Sequence, residues 1–188
     1  MLTLKEFKEA RGVLSGVIRN TSLVYSPAFS KATGNQIYIK PENMQVTGAY
    51  KIRGAYYKIS TLSDEEKARG LVTASAGNHA QGVACAAQRL NTKAVIVMPT
   101  NANPVKLAGV KAFGGEVELV GTLSSQREAR AQQLVEEAGM VNVTPMPIPT
   151  WRRARAPSAW KFWRTCPKRR LWSVPSEAAV SSLEWLLP

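Results

Sequence analysis

From residue 71 to residue 138 the chain alternates short runs of β-favouring residues with stretches of helical length, and that rhythm limits the folds open to it. Leu71-Val72-Thr73-Ala74 predicts a strand, followed by a helix over Asn78–Leu90. Ala94-Val95-Ile96-Val97-Met98 predicts the next strand and Pro104–Phe113 the next helix, and Glu116-Val117-Glu118-Leu119-Val120 then leads into a helix over Ser124–Ala138. Strands joined through helices run parallel, with the helices packed on the sheet faces. Gly114-Gly115 and Gly139 stand where helix C-caps belong. The expected class is α/β, a parallel-sheet lobe of βα units, and ligands of such sheets sit at the carboxyl ends of the strands.

Upstream the pattern is looser. Thr3 can cap a first helix reaching about Leu14, and Gln36-Ile37-Tyr38-Ile39-Lys40 reads as a short strand ended by Pro41. A helix is expected from Lys51 to Ser60, and Ser63-Asp64-Glu65-Glu66 opens another, with Asp64 in a capping role.

The net charge of +12 suggests nucleic acid, but its distribution argues otherwise. Residues 151–188 carry eight Lys/Arg and two Asp/Glu, and they hold all five tryptophans. The preceding 150 residues hold the other 17 basic and 11 acidic groups, an ordinary balance for a metabolic enzyme. That break places a boundary near residues 145–150. The N-terminal residues lack the apolar core of a signal peptide and no apolar run approaches a membrane span, so a soluble, cytoplasmic protein is expected. Cys85 and Cys166 make neither a disulfide framework nor a metal-ligand pattern, and Cys85 suits a small buried position. His79 is the only histidine and Asp64 the only aspartate, so a histidine metal cluster, a Ser-His-Asp triad and a carboxylate pair lack support.

Two segments carry chemistry. Lys51 sits among Gly48, Ala49 and Gly54, small residues that let a flat ligand approach the backbone. Its plain reading is a solvated lysine opening an amphipathic helix. Ser75-Ala76-Gly77-Asn78-His79 follows a strand directly; it is either an ordinary capped helix start or a turn whose backbone N–H groups hold an anion. A desolvated lysine amine beside such a turn is what Schiff-base chemistry on an anionic carbonyl compound requires.

Glu42-Asn43-Met44-Gln45-Val46-Thr47-Gly48-Ala49-Tyr50-Lys51-Ile52-Arg53-Gly54-Ala55 resembles the pyridoxal-phosphate lysine motif of the serine/threonine dehydratases, whose fold is tryptophan-synthase-β-like (fold type II). Ser75-Ala76-Gly77-Asn78-His79-Ala80-Gln81-Gly82 resembles that family's second signature at the expected separation. The resemblance runs from about residue 3 to about residue 144. It implies that Lys51 bonds pyridoxal 5'-phosphate and shuttles protons, that Tyr50 packs beside the pyridine ring, and that Asn78 hydrogen-bonds the ring hydroxyl. Ser75, Gly77, Asn78 and His79 would hold the carboxylate of a small amino-acid substrate. The implied reaction is deamination of L-threonine, or L-serine, to the 2-oxo acid and ammonia. Serine racemase and hydroxyaspartate dehydratase share both motifs, and the family is usually homo-oligomeric. By the resemblance, residues 1–51 are the N-terminal part of a large lobe, 52–145 a small lobe, and 146–188 a poorly folded basic tail, leaving the second lobe incomplete.

The family also uses a glycine-rich loop for the cofactor phosphate, and none follows Lys51 in this sequence. A shift of reading frame accounts for that. Ser158-Ala159-Trp160-Lys161-Phe162-Trp163 can be written TCG GCC TGG AAA TTC TGG, which moved back by one base reads I-G-L-E-I-L. The same shift permits A-G-Q-G-T-I-G-L from Arg152 to Trp160 and P-I-G-G-G-G-L-I-S-G from Val174 to Glu184. Agreement in order across three stretches favours a frameshift near Pro145 and a chain that is a non-catalytic fragment as it stands. A genuine basic tail binding nucleic acid is the other reading.

Overall fold

A computed structural model of the chain describes residues 4–144. Four strands form a parallel sheet in the order β5-β4-β3-β6: β3 (Leu71–Ala74), β4 (Ala94–Met98), β5 (Glu116–Leu119) and β6 (Val141–Asn142). The helices between them are α5 (Asn78–Arg89), α6 (Pro104–Ala112) and α7 (Ser124–Ala138). The expected α/β class with a parallel sheet is thus observed. β6 is the exception, since the strand rhythm was expected to end at Gly139; the sheet takes two further residues beside β3.

Upstream lie α1 (Leu4–Val13), β1 (Val24–Tyr25), α2 (Pro27–Thr33), β2 (Tyr38–Ile39), a 3-10 turn over Glu42–Met44, α3 (Lys51–Ser60) and α4 (Asp64–Ala68). The strand expected over 36–40 shrinks to two residues, paired antiparallel with β1. Thr3, expected to cap α1, lies outside the described residues, as do the frameshift segment and the basic tail.

Local chemistry sets the helix ends. Ser26 caps α2 by accepting from Phe29 N, Pro27 follows at its first turn, and Gly34 closes it in the left-handed region. Ser63, not Asp64, caps α4: its hydroxyl accepts from Glu66 N while the Glu66 carboxylate accepts from Ser63 N at 2.8 Å. Asp64 instead occupies the first turn, where its charge favours the helix dipole. Gly139 ends α7 at φ 65°.

β3 and β4 are apolar and buried because helices cover both faces of the sheet. On one face Ile96 and Met98 pack with Ile52, Ile59, Val83 and Val110 of α3, α5 and α6. On the other, Val72 and Val97 meet Ala131 of α7 and Met140. Ile52 and Ile59 are fully buried, so truncating either to alanine costs about 2–5 kcal/mol. At the sheet edge, β5 carries Glu116 and Glu118, paired with Lys93 at 2.9 Å and Arg130 at 2.6 Å, charges that discourage edge-to-edge pairing.

Candidate functional site

The carboxyl end of β3 runs straight into the turn preceding α5. Ser75 N still donates to Val97 O at 3.1 Å, continuing the ladder with β4, and the chain then turns through Ala76 and Gly77. Gly77 is the N-cap of α5, and no side chain caps that helix. A Cβ built on Gly77 meets nothing within 4 Å, so the space before the helix is open. The first N–H groups of a helix have no intrahelical acceptor, and here Gly77 N makes only a long contact, 3.5 Å, to Ser75 Oγ.

His79 turns its ring inward. It is 3% exposed, and its Nε2 lies 2.8 Å from the carbonyl oxygen of Val143. Thr73 Oγ1 donates to the same oxygen at 2.7 Å, and Val143 N donates to Val72 O at 2.8 Å. The turn is therefore braced from beneath by the residue that follows β6. What His79 offers toward the opening is its backbone N–H rather than its imidazole.

Lys51 is half-buried and is the first residue of α3, after Tyr50 at the N-cap position. Its Nζ lies 5.5 Å from the centroid of the Tyr50 ring. The approach to α3 turns at Gly48, whose φ of 68° suits glycine, and Gly48 N donates to Gln45 O at 2.8 Å. Two clamps fix this segment. Gln45 Oε1 accepts from Arg19 N at 2.7 Å while its Nε2 donates to Arg19 O at 3.0 Å. Arg53 donates twice to Glu42, from Nε at 2.9 Å and from a terminal nitrogen at 2.8 Å, and Thr21 Oγ1 donates to the same carboxylate at 2.9 Å. Burial pushes the Glu42 carboxyl up, but Arg53, Thr21 and Lys40 outweigh it and hold the group below the usual carboxylate range.

The two segments meet through a glycine. A Cβ on Gly82 of α5 would lie 3.2 Å from the carbonyl carbon of Lys51, 3.2 Å from Ile52 N and 3.3 Å from Lys51 O. Gly82 is one turn beyond Asn78, about 6 Å along the axis, so α3 and α5 begin beside each other. The backbone of Lys51 thus packs against α5 one turn beyond the uncapped start of that helix.

A third element was not anticipated. Lys106, in the first turn of α6, donates from Nζ to Asn78 Oδ1 at 2.5 Å and to Gln81 Oε1 at 3.4 Å. Its sequence signal was a lysine in a helical first turn just after a strand's carboxyl end, where a cation opposes the dipole. Among the described residues no group of three or more His, Cys, Asp or Glu is placed to hold a metal ion, and no helix is long and apolar enough to cross a membrane.

A family model described as pyridoxal-phosphate dependent enzyme matches residues 14–165. The chain belongs to that family. Among its members, L-threonine ammonia-lyase of Thermotoga maritima is 47% identical over 149 residues, covering 79% of this chain and 37% of its own length. Maize serine racemase superposes with a TM-score of 0.83 at 30% identity, over 88% of this chain and 50% of that one. The processed form of threonine deaminase isoform 2 from Solanum lycopersicum gives 0.77 at 36% identity, over 87% and 47%. This pyridoxal-phosphate-dependent enzyme chain spans about two fifths of the length of the curated relatives it matches, 37% and 42% in two of them. The donor set suits the family's cofactor: an amine for its aldehyde, an aromatic ring beside that amine, and open backbone amides for an anion.

Proposed function

We propose that this chain carries the reacting-lysine part of a dehydratase that converts L-threonine, or L-serine, to 2-oxobutanoate, or pyruvate, and ammonia. The observation that carries the proposal is the packing of the Lys51 backbone against Gly82, one turn into a helix whose start no side chain caps. The 47% identity to an L-threonine ammonia-lyase supports threonine as substrate. In this reading residues 1–51 belong to the large lobe and 52–145 form the small one.

When bound, pyridoxal phosphate supplies an electron sink that makes loss of the substrate Cα proton feasible. Lys51 Nζ would hold the cofactor through its aldehyde and is the base that would take the substrate Cα proton; neutrality of the amine is the condition for both roles. Tyr50 lays an aromatic face beside Nζ. Asn78 would donate to the ring hydroxyl oxygen. Backbone N–H groups from Gly77 to His79, with the Ser75 hydroxyl, bind the substrate carboxylate. Loss of the β-hydroxyl as water and hydrolysis of the nitrogen-bearing product complete the balance: threonine becomes 2-oxobutanoate and ammonia.

The test is reductive trapping. The purified chain is mixed with pyridoxal phosphate, reduced with borohydride and mapped by mass spectrometry. Lys51 is expected to be the principal modified lysine, with labelling there abolished by Lys51→Ala. Labelling spread over surface lysines without preference for Lys51 would overturn the reading. Turnover of threonine, followed as 2-oxobutanoate, is expected to be faint or absent in this chain, because the phosphate-binding loop lies in another reading frame. The TM-score of 0.83 to a serine racemase favours a second reading, distinguished by formation of D-serine without ammonia.

A further inference from the structure

Lys106 has a placement that helix propensity does not explain. Asn103 caps α6 by accepting from Val105 N at 2.9 Å and from Lys106 N at 3.4 Å, so Lys106 stands three residues into the helix. That first turn contains no acidic residue, and a cation there works against the dipole. Residues that break a local rule are commonly held by a task elsewhere.

The task is visible in its contacts. A lysine ammonium has three donors and no acceptor, so of a carboxamide's two ends it pairs with the oxygen. Nζ takes Asn78 Oδ1 at 2.5 Å and Gln81 Oε1 at 3.4 Å, bridging two residues of the α5 first turn. Gly109 of α6 lies against the same carboxamide, since a Cβ there would fall 1.9 Å from Gln81 Nε2. With Oδ1 turned toward Lys106, the Asn78 carboxamide has its NH2 left for a ligand, so the position in front of it suits an acceptor.

We propose that Lys106 is a positioning residue: by holding Asn78 Oδ1 it fixes the carboxamide so that Nδ2–H2 donates to an anionic oxygen on the ring of the bound pyridine cofactor. The inference rests on the cofactor reading above. It adds that α6, through a residue that itself touches no cofactor, sets which way Asn78 faces. Without the ammonium, Asn78 is free to flip and offer an oxygen to an oxygen.

The experiment has two arms on the full chain. In the cofactor-free arm, the side-chain amide signals of Asn78, assigned by their loss in Asn78→Ala, are followed by two-dimensional 15N NMR. Lys106→Met is expected to shift them and speed their exchange with water, and Lys106→Arg to restore them. In the second arm, trapping at Lys51 is measured against pyridoxal phosphate concentration. Lys106→Met is expected to raise the concentration needed by about tenfold, the loss of one charge-assisted hydrogen bond. Lys106→Arg should recover most of it, and Lys106→Met should add nothing in an Asn78→Ala background. An additive effect in that background, an unmoved Asn78 signal in Lys106→Met, or a moved signal with unchanged trapping would each overturn the proposal. Absence of Lys51-selective trapping in the unmutated chain would instead overturn the cofactor reading, and the amide signals would still decide the Lys106–Asn78 contact.

Discussion

Gly82 passes so close to Lys51 that a single added carbon would sit 3.2 Å from the lysine's carbonyl carbon. The neighbour it would press on is backbone at the first turn of α3, not the yielding end of a side chain. The separation of α3 and α5 at the Lys51 backbone is therefore set by the absence of a side chain.

Gly82→Ala should force α3 and α5 apart by a few tenths of an ångström. A loss of about 1–3 kcal/mol in unfolding free energy is expected, typical of overpacking at a tight contact. Denaturant titration measures it, and borohydride trapping at Lys51 should fall in parallel. Unchanged stability and trapping would show that the crossing is looser than the geometry states.

The Glu42–Arg53 pair should make the lysine segment acid-sensitive. Its carboxyl titrates below the ordinary value of 4.5 in the folded chain, so the folded state binds fewer protons than the unfolded state in that window. The pair's contribution is then complete above about pH 4.5 and is lost as pH falls through the lowered value. Arg53→Met leaves a partly buried carboxylate with only Thr21 and Lys40 to stabilise it and should cost about 1–3 kcal/mol at neutral pH. The Arg53→Met/Glu42→Gln double variant should recover part of that loss, and its melting temperature should depend less on acid between pH 6 and 3 (roughly the carboxylate range).

Thr73 and His79 converge on one carbonyl, that of Val143. Thr73→Val and His79→Phe should each cost about 1 kcal/mol, because one donor remains in each case. Together they leave the buried oxygen without either donor, and the double variant should lose more than the sum. A double-mutant cycle from urea unfolding provides the check; strict additivity would refute the shared acceptor.

Sequencing the coding DNA around codon 145 should reveal one lost base or two gained. A gene with the frame restored should yield a protein that binds pyridoxal phosphate and releases 2-oxobutanoate from threonine. An intact, unshifted gene would remove the frameshift account.

The βα rhythm from residue 71 onward was legible because β3 and β4 are buried on both faces and their helices carry recognisable ends at Ser63, Asn103 and Gly139. Two-residue strands cannot show alternation, which is why β1 and β6 escaped notice. The second helix was legible in principle, since Ser26-Pro27 and Gly34 bracket it, but seven residues are too few for a clear apolar face. At the site, Lys51 and the Ser75–His79 turn stood out by their motifs. Glu42 with Arg53, Gln45 with Arg19, and Lys106 with Asn78 did not, because each pair joins residues far apart in sequence or on different elements. Such partners are set by packing, which no single stretch of sequence contains.

Val143 also dates the completion of the bracing beneath the α5 turn. A ribosome must deliver residue 143 before the hydroxyl of Thr73 and the ring of His79, made some seventy and sixty-four residues earlier, find their acceptor. Until then two polar groups in the heart of the molecule lack that acceptor. The tryptophan- and arginine-rich composition begins within ten residues after that point. The acceptor shared by Thr73 and His79 thus lies on the near side of that change in composition.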